Sequence, residues 1–188
     1  MKSVIRLILA IIVIAYPFVI YFGLMHFEFW QVSLFIIAIA LMRLLLIKNQ
    51  TSQYFKIGFV GAVLLLIFAS LALILKQQVW FKVYPIVISL SLLYFFAASL
   101  WTEKSMIQRF AEIREKNITP EKQSYMIKLT QVWCGFFIFN ALVSSYTMLF
   151  SSDKHWMLYN GFISYVLMGV LGLSELIYRY TVVMRRHT

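Results

Sequence analysis

A polar side chain inside an apolar stretch is costly unless it is paired or used, so such residues mark where chemistry would sit. In this 188-residue chain they gather toward the C-terminal side. Gln131, Asn140, Asn160, Glu175 and Arg179 form the candidate intramembrane polar site. Glu175 is the one acidic residue inside an apolar run, and Arg179 follows it at i+4. That spacing suits an interfacial helix pair worth about 0.2–0.5 kcal/mol. A carboxylate at that depth also suits a proton or substrate contact. Asn140 falls halfway along its run, where an amide is expected to hydrogen-bond a neighbouring helix. Tyr159 and Asn160 read either as a polar contact near the outer surface or as simple interface residues. Gly135, Gly161, Gly169 and Gly172 are expected to let neighbouring backbones approach. Arg43, close to the end of its run, can reach the headgroups along its aliphatic stem.

Constellations for catalysis are weak. Cys134 is the single cysteine, which excludes an internal disulfide and C-x-x-C chemistry; with no base beside it, it reads as an inert thiol. His26, His155 and His187 have no ligand spacing, so no metal and no cofactor is expected. Ser151, Ser152, Asp153 and His155 supply the residue types of a Ser–His–Asp site, but within one short polar turn, where a solvated connection is the plainer reading. Phosphate loops and paired carboxylates are absent from the sequence. The chain reads as non-enzymatic.

The elements that must position these residues are membrane helices. The chain is 62% hydrophobic and 13% charged, with mean hydropathy +0.84, against about 45–50% and about 25% in ordinary globular domains. About 20 apolar residues cross the hydrocarbon core. Six runs qualify, at 7–25, 29–47, 57–75, 83–101, 129–150 and 156–178. The sequence therefore predicts an all-α membrane protein, a single integral domain over 1–188 with six spans in antiparallel hairpins. The basic N-terminus followed by 19 apolar residues is too long for a signal peptide and reads as a retained span. Of the 17 Lys and Arg, only Lys76, Lys82 and Lys154 fall in the outer turns, so both termini are expected on the cytoplasmic side. The net charge of +10 is thus a topology signal and not a nucleic-acid-binding face. Trp30, Trp80, Trp101, Trp133 and Trp156 all lie at run ends, as an aromatic belt would place them.

The one sizeable loop, 102–128, faces inside. Thr102 is the expected helix cap, Met106, Ile107, Phe110 and Ile113 recur at helical spacing, and Lys104, Gln108, Arg109 and Glu112 take the remaining surface. An amphipathic helix on the inner face follows, with Lys104, Arg109, Arg114 and Lys116 as candidate docking residues for lipid or a partner. Thr119-Pro120 marks a second helix start leading into the fifth run.

Several stretches carry a resemblance. Phe81-Lys82-x-Tyr84-Pro85 with Ser89, Ile107-x-Arg109-Phe110, W-C-G-F-F-x-x-N at 133–140 and W-x-L-Y-N-G-x-x-x-Y-x-L-M-G at 156–169 resemble a family of bacterial inner-membrane proteins. That family is encoded beside ketosynthases and acyl carrier proteins of aryl-polyene-like envelope-lipid clusters. The layout is more weakly similar to the intracellular septation protein family. The resemblance implies a bacterial inner membrane and a role near envelope lipid assembly, and it transfers no catalytic residue. Three readings follow: a non-enzymatic scaffold for cytoplasmic acyl-lipid enzymes, a small acyl-lipid carrier or flippase component, and a septation or envelope-maintenance protein. A membrane transferase lacks a nucleophile and base. Membrane lipids and acyl-lipid enzymes are the expected partners; these patterns carry no signal for oligomeric state.

Overall fold

The computed structural model of the chain describes residues 16–47, 53–112 and 118–178. Residues 7–15 of the first expected span, and Arg114, Lys116 and Arg179 of the expected sites, lie outside that set. Among the described residues the fold is all helical: α1 (Tyr16–His26), α2 (Phe29–Ile47), α3 (Gln53–Leu75), α4 (Val79–Ser99), α5 (Met106–Ala111), α6 (Pro120–Phe150) and α7 (Asp153–Leu158). The chain then passes through a π turn (Tyr159–Ile163) into α8 (Ser164–Tyr178). Among the described residues, four stretches are long and apolar enough to cross a membrane: Ile57–Leu75, Val79–Ser99, Pro120–Phe150 and Asp153–Leu176. Phe29–Leu45 is a shorter apolar helix.

Packing follows the small residues. Ala40, Ala62, Ala69 and Ala72 are fully buried on α2 and α3, which lets these two helices run close together. α4 packs along both α3 and α6, while α1 reaches from α2 to α7 and the π turn. One apolar cluster fills the end where α1 meets α7, around Ile20, Ile36, Leu65, Phe81 and Trp156. Trp156 is only 1% exposed, so it is a core residue and not a member of an aromatic belt, whereas Trp101, 84% exposed, remains a surface anchor. A second cluster lies at the opposite end, around Phe96, Met106 and Phe137.

The loop between α4 and α6 is tied to the bundle. The cap of α5 is Ser105, whose hydroxyl accepts from Gln108 N, and not Thr102. Thr102 Oγ1 instead donates to Ser99 O at 2.8 Å. Met106 N donates to Ser99 Oγ at 2.8 Å and Ile107 N to Thr130 Oγ1 at 3.4 Å, fixing α5 to α4 and to α6. Met106 and Gln108 are buried, so Gln108 is not part of the outward surface its spacing suggested. α6 starts as expected: Thr119 accepts from Lys122 N, and Pro120 occupies the first turn, where its missing N–H costs nothing.

Candidate functional site

Two features lie between α4, α6 and the last helix: a buried polar network and an apolar cavity. The network is built by one stripe of α6. Phe137, Asn140, Ala141, Ser144 and Thr147 recur at spacings of three and four and are all buried. Asn140 Nδ2 donates to Ser89 Oγ of α4 at 2.8 Å, and Tyr159 OH donates to Asn140 Oδ1 at 3.1 Å. Ser144 Oγ donates to Asn160 Oδ1 at 2.7 Å, while Asn160 Nδ2 reaches Thr147 Oγ1 at 3.5 Å. Tyr159 and Asn160 are therefore packing residues inside the protein and not interface residues at the outer surface.

These bonds also hold the π turn. Ser164 N bonds to Tyr159 O, five residues back, so the ladder of the helix is offset there. Asn160 Nδ2 covers Trp156 O at 3.0 Å and Ser164 Oγ covers Asn160 O at 3.2 Å, so side chains satisfy backbone groups at the offset. Gly161 sits against α1: a Cβ there would lie 2.5 Å from Phe18 Cε2. Close approach is thus real at Gly161. It is not real at Gly135, Gly169 or Gly172, where a Cβ would meet nothing within 4 Å.

One turn from the Asn140–Ser89 bond, toward α5, the helices part around a cavity of about 630 Å³. Leu92 and Phe96 line it from α4, Ile107, Phe110 and Ala111 from α5, Leu129, Trp133 and Phe137 from α6, and Met168, Gly172 and Glu175 from α8, with Ile57 of α3 completing the wall. The rings interlock: Phe96 and Phe137 are edge to face at 5.1 Å, and Phe96 lies 6.2 Å from Phe110. Half-buried Glu175 accepts from Tyr125 OH of α6 at 3.3 Å.

Of the sequence-derived site, Asn140 and Asn160 belong to the network and Glu175 to the cavity. Gln131 is exposed on α6 and joins neither. Lys104 pairs with Glu112 at 2.9 Å, and Arg109 donates to Thr102 Oγ1 at 2.7 Å and to Lys104 O at 2.9 Å, forming a small polar surface of their own. Ser152 caps α7 and bonds His155 Nδ1 at 3.0 Å, but Asp153 is paired with Lys82 of α4, so no Ser–His–Asp relay forms. Among the described residues no cluster could hold a metal ion. Sequence reasoning missed Ser89, Thr130 and the aromatic walls. The buried three-and-four stripe on α6 was the available signal for the network; nothing along the chain marks the cavity, which five helices share.

No curated protein and no solved structure matches the chain. The family model described as intracellular septation protein A matches residues 3–185. By that match over nearly its whole length, the chain belongs to the intracellular septation protein A family.

Proposed function

We propose that the chain is a non-enzymatic, multi-pass protein of the bacterial inner membrane that holds the apolar chain of an amphiphile in the α4–α5–α6–α8 cavity. Its six spans form antiparallel hairpins, with both termini and the α5 end cytoplasmic, as the distribution of Lys and Arg supports. It serves envelope maintenance in septation, the process for which its family is named. The cavity carries this reading: its volume falls within the about 300–1,000 Å³ of ligand pockets, and its walls are apolar with a single charged group. The polar residues that a transmembrane path would need are engaged with one another, which favours holding over carriage across the bilayer.

A second reading, docking of cytoplasmic acyl-lipid enzymes such as those of aryl-polyene pathways, draws on the ordered, charged Thr102–Glu112 surface. One experiment separates the two. A Cβ at Gly172 would meet no neighbouring side chain or helix within 4 Å and the position lines the cavity, so Gly172→Phe is expected to direct its ring into the cavity and fill it. Native mass spectrometry of the full chain should show co-purified lipid in wild type and most of it lost in Gly172→Phe. Complementation of a deletion strain should fail in parallel. Charge reversal at Lys104 and Arg109 should leave both intact; the opposite pattern would favour docking and discard the cavity reading.

A further inference from the structure

The cavity is apolar except at one point. Among its lining residues Glu175 alone is charged, and the one hydrogen bond it makes to a described residue comes from a neutral group, the Tyr125 hydroxyl. Of the cations at the α5 end, Lys104, just before the helix, is committed to Glu112, and Arg109 to the Thr102–Lys104 turn, while Arg179, the i+4 neighbour of Glu175, lies outside the described residues. A half-buried carboxylate beside aromatic rings is poorly matched to an anionic head, which it repels. It is well matched to a cationic nitrogen, which gains a charge-assisted contact from the carboxylate and finds the aromatic residues Trp133, Phe110 and Phe96 in the same lining, a ring type that attracts cations.

Building on the cavity reading, we propose that this site selects amphiphiles whose head is a positively charged nitrogen. Glu175 takes the ammonium and the aromatic walls take the alkyl chain. Two sources share this chemistry: the headgroup of an aminophospholipid and a free lipophilic cation.

The test uses the full chain in nanodiscs of phosphatidylglycerol, with two photoreactive dodecyl probes, one bearing an amine head and one a hydroxyl. Crosslinks to cavity residues are read by mass spectrometry. The amine probe should label the cavity about tenfold more than the alcohol, as a charge-assisted contact predicts. Glu175→Gln should bring the amine down to the level of the alcohol without changing the alcohol, and Gly172→Phe should abolish both. Equal labelling in wild type, unmoved by Glu175→Gln, would overturn the cation preference while leaving the cavity reading intact. Absence of cavity labelling by either probe would overturn both. Replacing phosphatidylglycerol with phosphatidylethanolamine assigns the source: suppressed amine labelling identifies the lipid headgroup, and unchanged labelling identifies a free cation; either result supports the role of the carboxylate.

Discussion

At the scale of single residues, the intramembrane polar groups act mainly on each other. Asn140 is satisfied on both sides of its amide, by Ser89 and by Tyr159. Replacing it with Ala leaves the buried Tyr159 hydroxyl without its acceptor and removes the donor to Ser89 Oγ, which keeps its bond to Pro85 O. The expected loss is about 0.6–1.7 kcal/mol, the range for interhelical bonds in membranes. Detergent unfolding of Asn140→Ala, Tyr159→Phe and the double variant should show non-additive losses. Gly161 presents the opposite case, where absence of a side chain is what matters. Gly161→Ala drives a methyl into Phe18 and is expected to cost about 1–3 kcal/mol, recovered in large part by adding Phe18→Leu. That Asn140 packs was legible from its depth in the apolar run, whereas Asn160, near the start of its run, read as a contact or interface residue at the outer surface and is instead buried. Their partners were not legible, because Ser89 lies 51 residues from Asn140 and only the fold brings them together. Gln131 shows the converse error: its type was informative, but the face of α6 it occupies was decided by packing.

Among the elements, helix ends show how far local chemistry reaches. The start of α6 at Thr119-Pro120 was readable because capping depends on adjacent residues alone. The start of α5 was misplaced because two hydroxyls compete, and Ser105 wins while Thr102 is drawn to Ser99 and Arg109. α3 ends without a glycine: Lys76 takes the left-handed conformation at φ 52°, and Gln77 N closes back on Ala72 O. An L side chain is strained there, so Lys76→Gly should raise stability by about 1 kcal/mol, seen as a higher unfolding midpoint in detergent. With 31 residues, α6 is about 46 Å long and outruns the about 30 Å hydrocarbon layer. Its first turns, from Glu121 to Lys128, are its polar part and the part suited to the headgroup layer, and Tyr125 among them meets the Glu175 carboxylate.

Across the whole molecule, membrane class and, over the described residues, the approximate helix positions were legible because hydropathy and length suffice for them. The cavity was not, since its walls come from four helices and part of α3, which only the fold brings together. α1 and α7 fill one end of the bundle with Trp156, whereas the α5 end is held apart by aromatic rings. The π turn decides which face α8 shows to that gap. It amounts to an α-helical turn with one residue added, and one residue is a rotation of about 100°. Everything after Ile163 is set forward by that angle relative to an unbroken helix. Met168, Gly172 and Glu175, at spacings of four and three, share the face that this phase turns toward α6. Without the extra residue the carboxylate would be swung about 100° away, and the cavity would lose its only charge through a change of angular register alone.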